Sequence, residues 1–213
     1  MITVKIPLYI NNSNMSSMIQ NLADAGVKSI EMNITQIQGN LIVENQPDIE
    51  QPVSLKDVFC FIKREKLQLQ LILNLLESNL ENQVSSLVEE WDLRGQVKYT
   101  GRILPTGLSL WDRTNVFYNV ENCLPTFYQF ENIKKTHFDV IHYFLKKYKV
   151  KTFRIQKRGL TEELIAWARE MGLALSVDGV ETLWEAKYYL DRGVDYVSTD
   201  TKCYMHTKRV THS

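Results

Sequence analysis

The 213-residue chain is poor in punctuation, with nine glycines, five prolines and no Pro/Gly/Ser linker, low-complexity tract or internal repeat. That scarcity offers no place to divide it, so one domain is expected over residues 1–205, with 206–213 a flexible tail. No apolar run approaches the roughly 18 residues of a membrane span. The N-terminal MITVKIPLYINN lacks a charged segment followed by an apolar one, and reads as a first strand rather than a signal peptide. An excess of one charge is missing too: 25 basic and 25 acidic residues cancel, which argues against a nucleic-acid or anionic-membrane partner. Cys60, Cys123 and Cys203 are odd in number, far apart and without CxxC or Cys/His ligand spacing. Reduced thiols and a cytoplasmic location are the expectation.

What the chain does have is alternation. Nine stretches read as strands: 2–9, 28–39, 41–44, 67–73, 97–100, 116–121, 152–156, 173–178 and 196–200. Helical patterns fall between most of them, at 15–25, 54–65, 81–91, within 131–148, at 161–172 and at 182–192. Ser54 and Thr161 are expected N-caps; Gly26, Gly172 and Gly193 are expected stops. This order predicts a parallel sheet covered by helices. Nine strands fit an eight-stranded (β/α)8 TIM barrel plus one extra piece better than an open sheet. That fold usually takes about 250 residues, so the loops must be lean.

Within KSIEMNITQIQG, Ile30, Met32 and Ile34 share one face while Glu31 and Asn33 share the other. The same sorting recurs in the other strands. Lys5 opposes Val4 and Ile6, and Gln68, Gln70, Ile72 and Asn74 oppose a run of leucines. Lys98 and Thr100 oppose Val97 and Tyr99. Arg154 and Gln156 oppose Phe153 and Ile155, while Ser176 and Asp178 oppose Leu175 and Val177. The outer face of a barrel strand packs on helices, so the polar sets point inward. Asn33, Asn74, Thr100, Gln156, Asp178 and Asp200, late in their strands, are expected to ring the C-terminal mouth where such barrels carry their sites. Glu31, Lys98 and Arg154 should lie one layer deeper. Either a hydrogen-bonded interior or a ligand site could be built from these groups.

Three blocks then suggest a family. DAGVKSIEMNITQIQGNLIVENQ (24–46), QPVSLKDVFCFIKREKLQLQLILN (51–74) and GLALSVDGVETLWEAKYYLDRGVDYVSTD (172–200) resemble, in order, blocks of the glycerophosphodiester phosphodiesterases. The resemblance implies the same barrel and a phosphoric diester hydrolase of lipid metabolism. It also implies two catalytic histidines and a divalent cation, Mg or Ca, held by carboxylates. The chemistry does not follow the framework. No histidine precedes His137, and ITVKIPLY has no H-R-G motif. The family's H-D pair falls on Asn45 and Gln46, its E-L-D on Glu31-Met32-Asn33, and its I-E-I-K on Leu71-Ile72-Leu73-Asn74. Asp178 stands at the family's tryptophan position and Glu181 at the asparagine after it. The insertion between the H-D pair and the following helix is missing.

A hard cation needs several anionic oxygens, and proton transfer needs a titrating group in reach. By this reading hydrolysis by the family mechanism and the metal are both lost, and Glu31 is a remnant seeking a new partner in Lys5, Lys98 or Arg154. The candidate pocket comprises Glu31, Asn33, Lys98, Arg154, Asp178 and Glu181. Lys98 is expected to be salt-bridged rather than a Schiff-base nucleophile. KRGLT (157–161) is expected to be a capped turn rather than a phosphate cradle. His137 and His142, about 140° apart on a helix, do not share a metal. Three functions stay open: a non-catalytic barrel that binds a small ligand, phosphate-bearing or not, or a protein partner; a hydrolase with altered chemistry around Glu31, Asp178 and Glu181; and a structural subunit that forms a homodimer.

Overall fold

A computed structural model describes residues 1–6, 12–43, 52–129, 135–201 and 204. Asn45, Gln46 and the 206–213 tail lie outside the described residues. The strands are β1 (Ile2–Lys5), β2 (Ser29–Ile37), β3 (Asn40–Val43), β4 (Val53–Ser54), β5 (Gln70–Leu75), β6 (Val97–Gly101), β7 (Phe117–Asn119), β8 (Thr152–Gln156), β9 (Ala174–Val180) and β10 (Tyr196–Asp200). Between them run helices α1 (Asn12–Asp24), α2 (Leu55–Arg64), α3 (Glu81–Glu90), α4 (Leu110–Arg113), α5 (Lys135–Tyr148), α6 (Glu162–Glu170) and α7 (Leu183–Asp191).

Eight strands form a TIM-barrel-like ring in the order β1, β2, β5, β6, β7, β8, β9, β10 and back to β1. Every ladder in it is parallel. The joint between β6 and β7 is thinner than the rest. There a single parallel bridge, Tyr99 to Val116, replaces a ladder, with the Tyr99 amide donating to the Asn115 carbonyl at 3.0 Å. The cause is local: β7 has three residues, and the segment between β6 and β7 holds only a 3-10 turn and the four-residue α4 where a full crossover helix would stand.

The strictly parallel expectation needs correction, because the sheet is mixed. β2 runs past the ring and turns back through Gln38 (φ 49°) and Gly39 (φ 84°), pairing antiparallel with β3; β4 then pairs antiparallel with β3. A two-residue loop with both φ values positive is a hairpin turn, and it cannot join parallel strands. The extra piece is therefore this hairpin with its β4 addition, outside the ring.

Packing follows the alternation. Val4, Ile30, Met32, Leu71, Leu73, Val97, Phe153, Leu175 and Val177 are buried outside the barrel against Ile19, Phe59, Val84, Ile141, Leu164 and Ala186. Ser54, Thr161 and Thr182 accept from the amides of Lys56, Leu164 and Glu185 and so start α2, α6 and α7. Among the described residues no helix is long and apolar enough to cross a membrane.

Candidate functional site: an ion-paired barrel mouth

Ring register sets the site. Lys5 lies beside Glu31, Glu31 beside Ile72, and Ile72 beside Lys98, so four neighbouring strands present one inner row. Ile72 is fully buried and fills the interior with hydrocarbon. One step toward the mouth Asn33 pairs with Asn74 and Asn74 with Thr100. Across the barrel, Asn119 neighbours Arg154, and Gln156 neighbours Asp178.

Arg154 and Glu31, 4% and 3% exposed, are buried charges facing the barrel interior. Arg154 Nη2 donates to both Glu31 oxygens, at 3.1 and 2.9 Å, and approaches Asp178 Oδ2 at 3.1 Å. Ser198 Oγ donates to Glu31 Oε2 at 3.3 Å. Lys5 Nζ meets Asp178 Oδ1 at 2.5 Å, and the Gly179 amide donates to the same oxygen. Two cations and two carboxylates thus form one chain, Lys5–Asp178–Arg154–Glu31. Burial alone would drive the guanidinium toward deprotonation, but the Glu31 and Asp178 carboxylates outweigh it and its pKa rises. Beside this chain, Asn74 Nδ2 donates to Asn33 Oδ1 at 2.7 Å, and Thr100 Oγ1 donates to the Phe117 carbonyl and Asn119 Oδ1.

Above the chain opens a pocket of about 90 Å3 lined by Glu31, Asn74, Asn119, Glu121, Arg154, Ile155, Gln156 and Asp178. The structure brings together Glu31, Arg154 and Asp178 from the sequence set and places Asn33 beside them through Asn74. Two residues are placed elsewhere. Lys98 lies toward the N-terminal end of the barrel, 5.3 and 5.5 Å from the ring centroids of Phe117 and Tyr196. Its burial lowers its pKa. A salt-bridged Lys98 is thus corrected: among the described residues its partners are aromatic faces. Glu181 is exposed at the start of α7 and pairs with Lys157 at 2.7 Å, away from the pocket. In KRGLT, Lys157 also reaches Glu185, and Arg158 lies over the Tyr128 ring at 4.6 Å. His142 packs edge-on to Trp167 on the barrel's outer layer.

Asn119, Glu121 and Ser198 are site residues that the sequence reading missed. The signal was present, since Phe117, Asn119 and Glu121 share one parity in VFYNVE, and Tyr196, Ser198 and Asp200 share one in YVSTD. Assigning polar faces to those two strands would have found them.

The divalent cation implied by the resemblance does not fit these residues. Both oxygens of Glu31 are held by Arg154, Asp178 is shared by Arg154 and Lys5, and Ile72 supplies hydrocarbon opposite. A hard cation would have to displace a guanidinium and still lack oxygen ligands.

The pairing has an acid limit. Burial of the Asp178 carboxyl works to raise its pKa, but Arg154 and Lys5 overcome that and hold it below the ordinary value of 3.8. Its contribution to stability is fully present above that value and lost as pH falls through the depressed native one. Denaturant titrations from pH 7 to pH 2 should show wild type losing stability below about pH 4, with Asp178→Asn flatter over that window. Equal slopes for the two proteins would refute the assignment.

No protein-family model matches the sequence, and no curated protein matches it. Solved structures do match. A protein assigned as a glycerophosphodiester phosphodiesterase from Galdieria sulphuraria superposes with a TM-score of 0.70 at 15% identity, covering 93% of this chain and 92% of that one. A glycerophosphodiester phosphodiesterase from Parabacteroides distasonis gives 0.64 at 13% identity, covering 99% and 96%. An Oleispira antarctica phosphodiesterase, solved with the product sn-glycerol-3-phosphate, gives 0.61 at 10% identity, covering 93% and 92%. The chain adopts the fold of the glycerophosphodiester phosphodiesterases.

Proposed function

We propose that this protein is a glycerophosphodiester phosphodiesterase-like barrel that no longer hydrolyses by the metal-dependent route and instead binds a small ligand at its mouth. One observation carries the reading. The guanidinium of Arg154 engages both oxygens of Glu31 and one of Asp178, so the strongest anionic oxygens at the mouth are committed to an internal cation. A carboxylate held this way is neither a metal ligand nor a base without first breaking a buried pair. The mouth pocket survives above the pair, which supports binding without the hydrolytic machinery.

The test is direct. Purified protein is titrated with Mg2+ and with Ca2+ while its melting temperature is followed, and glycerophosphocholine turnover is assayed with and without each cation. The expected result is no saturable rise in melting temperature, as a native-state ligand would produce, and no turnover above a Glu31→Ala control. Cation-dependent turnover abolished by Glu31→Ala would overturn the proposal.

A further inference from the structure

We infer that the mouth pocket selects a small hydroxylated amine, an amino alcohol in chemical class, and rejects phosphate esters. The inference rests on the reading that the mouth binds a small ligand, and adds the class.

Charge is the first argument. Among the described residues the two cations at the mouth are already matched: Asp178 takes Lys5 and shares Arg154, and Glu31 holds Arg154 through both oxygens. Two neighbouring cations outside the pocket are engaged as well, Lys157 by Glu181 and Glu185, and Arg158 over Tyr128, while Arg102 after β6 is exposed and outside the pocket lining. Glu121 lines the same pocket and pairs with no lysine or arginine among the described residues; its partners are neutral, the Tyr128 hydroxyl and Gln156 Nε2, the latter donating at a long 3.5 Å. Lys5 and Arg154 set against Glu31, Asp178 and Glu121 leave one negative charge in excess. A phosphate entering this mouth would have to pull a cation out of an existing pair and face Glu121 besides. An ammonium group meets a carboxylate that only neutral donors, the Tyr128 hydroxyl and the Gln156 amide, engage among the described residues, and charge-assisted hydrogen bonds of that kind are the strong ones.

The chemistry of the wall is the second argument. Asn74, Asn119 and Gln156 present carboxamides, each able both to donate and to accept. Hydroxyl groups do the same and so can be matched at either role. The wall offers almost no hydrocarbon, which excludes an acyl chain. Size is the third argument: about 90 Å3 holds a molecule of a few non-hydrogen atoms, the space of several waters.

The experiment uses the full chain at neutral pH and low salt, with three probes of one carbon skeleton: serinol (2-amino-1,3-propanediol), glycerol and sn-glycerol 3-phosphate. Calorimetric titration should show saturable serinol binding, glycerol weaker by about tenfold or more, a 1.4 kcal/mol difference, and no binding of the phosphate ester. Glu121→Gln should weaken serinol by about tenfold or more while leaving the melting temperature of the free protein close to wild type, because Glu121 is half-buried at the rim and in no ion pair. Serinol binding unchanged in Glu121→Gln would overturn the assignment. Phosphate-ester binding tighter than serinol would overturn the class and leave a binding mouth standing. Silence from all three probes would overturn both.

Discussion

Replacing Arg154 with methionine is expected to cost about 3–5 kcal/mol of folding stability, the cost of removing one partner from a buried ion pair. Methionine keeps most of the volume but supplies no charge. Glu31, 3% exposed and flanked by Ile72, is then left with only the Ser198 hydroxyl of the partners described here. Asp178 suffers less, because Lys5 still meets it at 2.5 Å. The cause can be separated from simple loss of packing. A chain carrying both Arg154→Met and Glu31→Gln removes charge from both sides, and should recover most of the deficit in urea denaturation, because matched neutral groups can replace a buried pair at little cost. If the double variant were no more stable than the single one, the lost stability would come from shape rather than from an uncompensated carboxylate.

The second large effect is expected at Gly101, the last residue of β6. Its φ is +96°, and a Cβ there would lie 2.2 Å from the Leu75 carbonyl oxygen and 2.5 Å from Asn74 Oδ1. The first of these is backbone in a paired strand, with Leu75 beside Gly101 in the ladder, so it cannot rotate away. The second is the carboxamide that turns toward Asn33. Gly101→Ala therefore combines an unfavourable backbone conformation, about 1–3 kcal/mol, with overpacking of about 1–3 kcal/mol. A loss near 4 kcal/mol would lower the melting temperature by roughly 10 °C in a domain of this size. Gly172→Ala is the control: its φ is +64° and nothing lies within 4 Å of the added carbon. It should show the conformational cost alone, so equal losses at the two positions would dismiss the steric account.

Much of this architecture was legible because period and punctuation agreed. Thr161 before an apolar helical pattern, and Gly172 after it, fix α6 in sequence as in structure. Glu31 and Asn33 opposite Ile30 and Met32 declare an inner and an outer face on β2. Of three possible partners for Glu31, register and reach select Arg154, from a strand more than a hundred residues away. Nothing local in TFRIQ specifies that choice. It follows from ring closure, which brings β2 and β8 to face each other across the interior. Lys98 shows the same limit from the other side. Alternation correctly turns it inward, but its height in the barrel depends on neighbouring strands, and it finds Phe117 and Tyr196 instead of a carboxylate. The antiparallel hairpin was missed for a different reason: Gln38 is an uncommon residue at positive φ, so the turn before β3 carries only half of the usual hairpin signature.

The thin joint between β6 and β7 has a mechanical meaning. A ring of ladders resists changes of girth, because widening it anywhere means breaking several hydrogen bonds together. Here one backbone bridge, which includes the Tyr99 amide to Asn115 bond, spans the gap. Side-chain hydrogen bonds from Thr100 to the Phe117 carbonyl and Asn119, and from Asn122 to the Gly101 carbonyl, supplement it, and a single net hydrogen bond is worth only about 1 kcal/mol. The barrel is thus closer to a bracelet with a clasp than to a welded hoop. The β7 side of the clasp leads through Asn119 to Glu121, and the β6 side ends at Gly101. Loosening it would move the Glu121 edge of the mouth relative to Asn74 while the Arg154–Glu31 pair, held by β8 and β2, stays in place.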